Sequence, residues 1–316
     1  MISSPFTFTD SRDKEIFVRK WMPASGTVKG FVQIIHGVAE HSERYERFAE
    51  FMTGNGYGVY VHDHQGHGKT DPENPGFIDV PEDGFGVMMN NICDVYTIIR
   101  KNYPGYPVFQ LGHSMGAALV MRIVQQRLCN PDGVIYSGIP APPPPEARIA
   151  VSLAASMSCL YGPDAPGNIL EKLTFGPYEK RFKPMRTRAD WLSRDPEEVD
   201  IYICDPECFF TLSASFYRDF LKGVITTLRT SSLTQHPAYM PVLFISGDAD
   251  PVGNDGKGVR YISRTLEKNG VADVTLNLYP DGRHEMLNEI NRQQVMNDIV
   301  MWINDKMAEK SRKLVN

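Results

Sequence analysis

A serine between two glycines, in the run Gly112-His113-Ser114-Met115-Gly116, is the first place in this sequence where chemistry is expected. The apolar stretch 108–111 before it predicts a buried strand, and the stretch 117–121 after it is rich in helix-forming residues. A strand, a sharp turn and a helix with this spacing hold a nucleophilic serine clear of its own backbone. The turn is strained and approaches its neighbours closely, which explains the glycines. N–H groups at the start of the helix would face negative charge that develops at the serine.

An aspartate and a histidine further along the chain supply the other groups that such a serine requires. A serine hydroxyl needs a base to accept its proton, and the base needs a partner that fixes its tautomer. Asp250 and His284 each follow a predicted strand, and Ser, Asp, His is the chain order expected with this kind of turn. Asp248 lies two residues before Asp250 and competes with it as the acid.

The elements that must position these residues follow an alternating pattern of strands and helices. Buried strands are predicted at 30–35, 56–61, 108–111, 132–137, 241–246 and 274–279. Helices are predicted between and after them at 42–52, 85–102, 117–128 and 256–268, with a terminal helix from about Ile290. Continuous apolar strands alternating with helices indicate a mostly parallel sheet covered on both faces. Ligands bind at the carboxyl ends of such strands, where His36, Asp63 and Ser114 fall.

The alternation stops at the proline-rich stretch 139–145, and no strand is predicted from there to His236. We interpret 139–236 as an inserted helical cap, or lid, and 1–138 with 237–316 as the core. At the N-terminus, 6–9 and 16–21 predict an antiparallel hairpin at a sheet edge. Two amphipathic helices are predicted in the cap, from Ile149, Leu153, Met157 and Leu160 and from Phe216, Phe220, Val224 and Leu228. The apolar face of the first is either the core of the cap or a site for an acyl chain.

Composition bounds the remaining possibilities. The chain has 316 residues and a net charge of -5, which argues against a nucleic-acid partner. Its five cysteines are scattered, and Cys204 with Cys208 lacks the second pair of a zinc site, so reduced thiols are expected. Neither a signal peptide nor an apolar run long enough to span a bilayer is apparent. We therefore expect a cytoplasmic protein.

Five motifs lie in the core on both sides of the insertion. They are His36-Gly37-Val38-Ala39-Glu40-His41-Ser42, His62-Asp63-His64-Gln65-Gly66-His67-Gly68, Gly112-His113-Ser114-Met115-Gly116, Gly247-Asp248-Ala249-Asp250 and Gly282-Arg283-His284-Glu285. Together they resemble the motifs of α/β-hydrolases, in the group of monoacylglycerol lipases, lysophospholipases and serine aminopeptidase-like enzymes. The resemblance implies the α/β-hydrolase fold: a mostly parallel central sheet, helices on both faces and an inserted helical cap.

The resemblance also implies roles for individual residues. Ser114 corresponds to the nucleophile, Asp250 to the acid and His284 to the base. The backbone N–H groups of Val38 and Met115 correspond to the oxyanion hole. The expected mechanism uses no metal and no organic cofactor.

Other residues near these motifs are weaker candidates. We consider His36, Gly37, His113, Leu153 and Met157 as substrate contacts, although His36 could instead anchor the turn beside Gly37. The histidines of the loop 62–68 resemble a metal cluster, but their spacing fits no common metal motif. We interpret that loop as structural. Glu40 and His41 either border the pocket or only begin a helix.

The expected activity is hydrolysis of carboxylic esters through an acyl-serine intermediate. Monoacylglycerol-like, lysophospholipid-like or short acyl esters are the expected substrates, with transient contact at lipid surfaces. An aminopeptidase is the alternative within enzymes, and it would need acids such as Glu197, Glu198 or Asp205 to hold a substrate ammonium. A small-molecule receptor or carrier is the alternative outside enzymes, although no member of the serine, histidine and aspartate set is missing.

Overall fold

The chain folds around one sheet in the computed structural model. The structure describes residues 1–81 and 83–315, apart from the side chains of 311 and 313–315. Nine strands of the described residues belong to it: β1 (Ile2–Ser3), β2 (Phe6–Thr9), β3 (Glu15–Met22), β4 (Gly30–Ile35), β5 (Tyr57–His62), β6 (Val108–His113), β7 (Gly133–Ser137), β8 (Val242–Gly247) and β9 (Val274–Tyr279). Their order is β1-β3-β5-β4-β6-β7-β8-β9, with β2 paired to β3. Along this order, the neighbouring strands β5, β4, β6, β7, β8 and β9 all pair in parallel. Strands β1, β2 and β5 pair antiparallel with β3. The predicted mostly parallel sheet is confirmed.

Eleven α-helices connect or follow these strands in the described chain. They are α1 (Glu46–Gly54), α2 (Gly84–Asn102), α3 (Met115–Gln126), α4 (Ala147–Tyr161), α5 (Asn168–Thr174), α6 (Gly176–Glu179), α7 (Pro196–Cys204), α8 (Ala214–Leu228), α9 (Thr230–Leu233), α10 (Lys257–Lys268) and α11 (Arg292–Val315). Short 3-10 segments occupy Ser42–Tyr45, Gly68–Thr70 and Met286–Asn288.

The helix boundaries differ from the sequence prediction by a few residues, most clearly in α1, α3 and α11. The segment predicted as one helix at 42–52 begins with a 3-10 turn, because the His41 side chain accepts the Glu43 N–H and caps that turn. Helix α3 ends two residues early, where Arg127 adopts a left-handed conformation (φ 57°). The terminal helix begins at Arg292, and Ile290 lies exposed before it.

Apolar clusters lie on both faces of the sheet. On one face, α1 and α11 pack against the strands through residues such as Phe48, Met52 and Ile299. On the other, α2, α3 and α10 contribute Met88, Val120 and others to a larger cluster. Both faces are therefore buried, which agrees with the continuous apolar character of the parallel strands.

Strand register brings the catalytic candidates to one edge. In the β4–β6 pair Ile35 lies opposite Gly112, and in the β6–β7 pair His113 lies opposite Ser137. In the β8–β9 pair Gly247 lies opposite Tyr279. The turns that follow β4, β6, β8 and β9 thus begin at the same carboxyl edge.

The described residues of 139–236 supply helices α4 to α9 and no strand of the sheet. Helix α8 packs against α2 and α3 as well as against α4. Its predicted inward residues are buried: Phe216, Phe220, Val224 and Leu228. The second part of this segment therefore rests directly on helices of the core.

The predicted apolar face of helix α4 is only partly buried. It contacts α8 closely, and Ala154 is its buried residue. Ile149 and Leu160 are 70% and 73% exposed, so the outer parts of the predicted face are not core. The small Ala154 at the contact lets the two helices approach closely, and Leu153 and Met157 beside it are partly buried against the core cluster.

No helix within the described residues combines the length and the apolar character needed to cross a membrane.

Candidate active site

The strained turn at Ser114 is the centre of the site. Ser114 has φ 52° and ψ −113°, a left-handed conformation that a residue with a side chain adopts only under constraint. A Cβ on Gly116 would collide with the Ile35 carbonyl, and one on Gly112 would collide with the Gly116 carbonyl. The two glycines are therefore required by close backbone contacts, as the sequence predicted.

Hydrogen bonds fix the backbone of Ser114, and the residue is half-buried. Its N–H donates to the Ser137 carbonyl oxygen (2.9 Å), and its own carbonyl accepts the N–H groups of Ala117 and Ala118. The residue lines a cavity of about 820 Å³ that also contains His284. The candidate nucleophile and the candidate base thus face the same space.

His284 is paired with Asp250 and not with Asp248. The His284 Nδ1 and the Asp250 Oδ2 are 3.0 Å apart, and both side chains are buried. The second Asp250 oxygen accepts the Val252 N–H at 2.9 Å. Asp248 is exposed, and its carboxylate accepts the Asp281 N–H instead (2.7 Å). Of the two acids that the sequence offered, only Asp250 contacts the histidine.

The surroundings of His284 favour its protonated form. Burial alone would lower the pKa of this imidazole, but the adjacent Asp250 carboxylate, and then Glu285 and Glu40, outweigh burial and raise the pKa above its usual range. A base near a buried carboxylate can accept a proton and remain stabilised as an imidazolium.

Val38 and Met115 are placed beside the serine by the β4 and β6 turns. The Gly37 N–H donates to the Glu40 carboxylate (2.5 Å), and the Ala39 N–H donates to His67 Nε2 (3.1 Å). Between them, the Val38 N–H has no acceptor among the described residues, and neither does the Met115 N–H at the first position of α3. Val38 lines the cavity, and Met115 follows Ser114 directly.

A buried ionic network connects the Val38 turn to the His284 turn. Arg44 donates to both oxygens of Glu285 (2.8 and 2.7 Å) and to Glu40 (2.6 Å). Glu40 in turn accepts the Gly37 N–H and the Tyr45 hydroxyl. Burial opposes ionisation of Glu40, but Arg44 and nearby histidines lower its pKa to about 2. The network is therefore ionised at neutral pH and fixes the two turns relative to each other.

We expect Glu285→Gln to change the pH dependence of hydrolysis. Activity requires neutral His284, so kcat/KM falls as the pH drops through the pKa of this group. Because the Glu285 carboxylate helps to raise that pKa, its removal should move the acidic limb of the profile to lower pH. The measurement is kcat/KM against pH for an ester whose leaving group does not titrate in the range. Glu50→Gln, at an exposed position of α1, is the matched control. An unmoved limb would contradict the electrostatic role of Glu285.

Three of the five candidates for substrate contact line the cavity: Gly37, His113 and Leu153. His113 is buried against the His284 ring, with ring centroids 4.8 Å apart, and burial lowers its pKa to about 4. It is therefore neutral where the enzyme would operate.

The other two candidates, His36 and Met157, lie outside the cavity lining. His36 is fully buried, its Nδ1 is 2.7 Å from the Gly37 carbonyl oxygen, and its Nε2 accepts the His64 N–H at 3.0 Å. Backbone groups therefore contact both ring nitrogens. His36 anchors the turn beside Gly37, and the expectation that it contacts substrate is wrong. Met157 packs on the core cluster instead, because α4 turns that position toward α8.

The histidine-rich loop does not bring metal ligands together in the described structure. His67 accepts the Ala39 N–H, and Asp63 accepts the N–H groups of Ser42 and Lys69, so the loop ties turns together. The group of described residues whose geometry could hold a metal ion is a different one: His41, Asp205 and Cys208. There, His41 Nε2 lies 2.9 Å from the Asp205 carboxylate, which already pairs the two side chains.

Sequence reasoning missed Trp191 and Arg44. Trp191 lines the cavity, its ring lies 5.2 Å from that of His284, and its carbonyl accepts the His284 N–H at 3.4 Å. It comes from the segment 139–236 and belongs to none of the sequence motifs. Arg44 stands four residues after Glu40, the spacing of a helical ion pair, and this was the one feature that could have identified it.

The fold and the turn at Ser114 are those of the α/β-hydrolases, and the chain is a serine hydrolase of the carboxylesterase and lipase type. Residues 26–291 match the family described as serine aminopeptidase, S33. The chain belongs to this family, as its motifs suggested.

Individual relatives agree with this assignment. The chain is 32% identical over 298 residues to the monoglyceride lipase of Homo sapiens, covering 93% of this chain and 88% of that protein. It is 29% identical over 289 residues to the monoacylglycerol lipase of Mycolicibacterium smegmatis, covering 90% of each. Among solved structures, a thermostable carboxyl esterase from Bacillus coagulans in complex with glycerol superposes with a TM-score of 0.88 at 28% identity, covering 96% of this chain and 99% of that one.

Proposed function

We propose that this protein hydrolyses monoacylglycerols through an acyl-serine intermediate on Ser114. The observation that carries the proposal is that Ser114 and His284, which is paired with Asp250, line one cavity whose walls are mainly apolar. The similarity to monoglyceride lipases over most of the chain supports the substrate class. Lysophospholipid-like and short acyl esters share the same chemistry and belong in the test.

The proposed reaction uses the residues of the site in sequence. His284 accepts the Ser114 proton as the hydroxyl oxygen attacks the ester carbonyl, and Asp250 stabilises the imidazolium that forms. The Val38 and Met115 N–H groups bind the oxyanion, each contributing about 10²–10³ in rate by precedent. His284 then returns the proton to the leaving alcohol. A water molecule, deprotonated by the same histidine, releases the fatty acid and restores Ser114.

We propose that the segment 139–236 is a cap that forms the acyl site. Much of the cavity lining comes from this segment, including Ala150, Leu153, Phe175, Leu221 and Val224. An acyl chain would replace water along these side chains, and each buried methylene contributes up to about 0.8 kcal/mol. Esters whose acyl chains differ by a few carbons should therefore differ measurably in kcat/KM.

We expect Ala150→Trp to shift the preference toward shorter acyl chains. Ala150 lines the cavity on α4, so an indole there would occupy space that a long chain needs. Acetyl ester turnover should be largely retained, while kcat/KM for long-chain esters should fall by about tenfold or more, the loss of roughly two methylenes of burial. The measurement is kcat/KM for p-nitrophenyl esters of increasing chain length.

Ser152→Trp is the matched control, because Ser152 is exposed on the same helix and does not line the cavity. It should keep the parental chain-length profile. An unchanged profile in Ala150→Trp would place the acyl site elsewhere.

The aminopeptidase alternative receives less support. The acids considered for it, Glu197, Glu198 and Asp205, are absent from the cavity lining among the described residues. Glu198 pairs with Arg47 (2.6 Å), and Asp205 pairs with His41. The ammonium of an aminoacyl substrate would therefore meet none of these three acids. Glu171 and Glu179 do line the cavity, but both are paired with Arg188 (2.6 and 3.1 Å).

We also propose transient contact with lipid surfaces. Large apolar side chains are exposed on the first helices of the inserted segment: Ile149, Leu160, Tyr161, Ile169 and Leu173. Such a surface suits an enzyme that collects its substrate from lipid aggregates. A cytoplasmic location is proposed with it, since free cysteines are stable in a reducing compartment.

A panel of monoacylglycerols, lysophospholipids, short acyl esters and aminoacyl amides tests the proposal. Monoacylglycerols should give the highest kcat/KM. For the esters, the measurement is the release of fatty acid. Faster turnover of aminoacyl amides than of every ester would refute the proposed function.

A further inference from the structure

Two cysteines far from the active site lie in contact. Cys93 is on α2 and Cys129 follows the end of α3, and the Cys129 thiol donates to the Cys93 sulfur with the two Sγ atoms 2.9 Å apart. A disulfide bond is about 2.05 Å long, so the sulfurs would need to approach by only about 0.9 Å. The contact is between free thiols in this structure.

The backbone around the two thiols is already fixed. The Tyr96 hydroxyl, one helical turn after Cys93, donates to the Asn130 carbonyl at 2.6 Å. One turn further, Arg100 donates to the Asp132 carboxylate at 3.0 Å. These bonds join α2 to the segment that carries Cys129, so the two thiols are held within reach of each other.

The two thiols differ in reactivity. Cys93 is half-buried, whereas Cys129 is buried, and the hydrogen bond to Cys93 together with burial raises the pKa of the Cys129 thiol. The thiolate is the form that attacks a disulfide, and solvent access is needed for the first attack. Cys93 is therefore the attacking residue and Cys129 the resolving one.

We propose that Cys93 and Cys129 are a modification site that forms a reversible disulfide with small-molecule disulfides such as oxidised glutathione. The Cys93 thiolate attacks one glutathione sulfur, forms a mixed disulfide and releases one glutathione thiolate. Cys129 then loses its proton and attacks the Cys93 sulfur, which releases the second glutathione. The two protein thiols supply the two electrons that reduce glutathione disulfide, and two protons are released with them.

The bond would act on stability and not on turnover. Neither cysteine lines the active-site cavity. The bond would close a loop between positions 36 residues apart, which restricts the unfolded chain. The midpoint of thermal unfolding should therefore rise by several degrees, with kcat unchanged.

The test begins with Cys159→Ser/Cys204→Ser, which removes the two exposed thiols that would also react and leaves three of the five cysteines. This protein is treated with oxidised glutathione, and free thiols are counted after unfolding. The count should fall from three to one, the joined peptides should contain Cys93 and Cys129, and dithiothreitol should reverse both changes and the gain in unfolding midpoint.

Adding Cys93→Ser to the same background should leave its two thiols free and its unfolding midpoint unmoved. Cys129→Ser, which keeps the attacking thiol, should stop at a glutathione adduct on Cys93. The proposal fails if the count stays at three, if Cys93 keeps the adduct while Cys129 is present, or if the joined peptides contain Cys208.

Discussion

Ser114→Ala is expected to reduce ester turnover by about 10⁶ while leaving the fold intact. In the proposed mechanism the Ser114 hydroxyl is the protein group that bonds to the acyl carbon, and the strained turn holds it in place for attack. The substitution replaces the hydroxyl by a hydrogen atom and adds no bulk, so the strand and helix around it should remain. The measurement is kcat for a p-nitrophenyl ester, with circular dichroism and the unfolding midpoint as checks of folding.

Ser156→Ala is the matched control for this substitution. Ser156 is exposed on α4 and its hydroxyl bonds only to a carbonyl of the preceding turn, the Ser152 oxygen (2.9 Å). It should hydrolyse esters at the parental rate. Near-parental turnover by Ser114→Ala would refute the assignment of the nucleophile.

Asp250→Asn is expected to lower turnover by about 10⁴, whereas Asp248→Asn should change it little. The Asp250 carboxylate accepts a hydrogen bond from His284 Nδ1–H and leaves Nε2 free to accept the serine proton. An amide can donate to Nδ1 and so favours the other tautomer, and it also removes the charge that stabilises the imidazolium. Asp248 is exposed and binds the Asp281 N–H, away from the histidine.

The two substitutions are isosteric, so a difference between them reports position and not size. Both should be measured as kcat on the same ester, alongside the unfolding midpoint. A larger loss from Asp248→Asn than from Asp250→Asn would reverse the assignment of the acid.

Much of the fold was predictable because its determinants are local. Each parallel strand is a short apolar run followed by glycine or a polar turn, so the strands and the residues after them could be read from the chain. The turn at Ser114 was predicted from the glycine spacing together with the apolar run before it and the helix-forming run after it. Both Asp248 and Asp250 follow β8, so the residues alone left the acid open, and the family resemblance pointed to Asp250. The structure shows that Asp250 contacts His284, whereas Asp248 accepts the Asp281 N–H.

The features that were not predicted depend on contacts between distant segments. Arg44 and Glu285 are 241 residues apart, and nothing near either residue indicates the other. The periodicity of helix α4 predicted one apolar face, either core or acyl site, but the residues of that face divide: Leu153 and Met157 pack on the core cluster, whereas Ile149 and Leu160 are exposed. Periodicity identifies an apolar face but does not tell which side a neighbouring helix will cover.

Labelling of the native protein with an alkyl fluorophosphonate tests the central claim most directly. The reagent forms a stable phosphonyl ester with a serine that is activated as a nucleophile, and mass spectrometry of the intact protein and its peptides gives the stoichiometry and the position. We expect one adduct per chain, on Ser114, with loss of ester hydrolysis in proportion to labelling and no adduct in Ser114→Ala. An adduct on another residue that abolishes activity, or full activity after Ser114 is labelled, would contradict it.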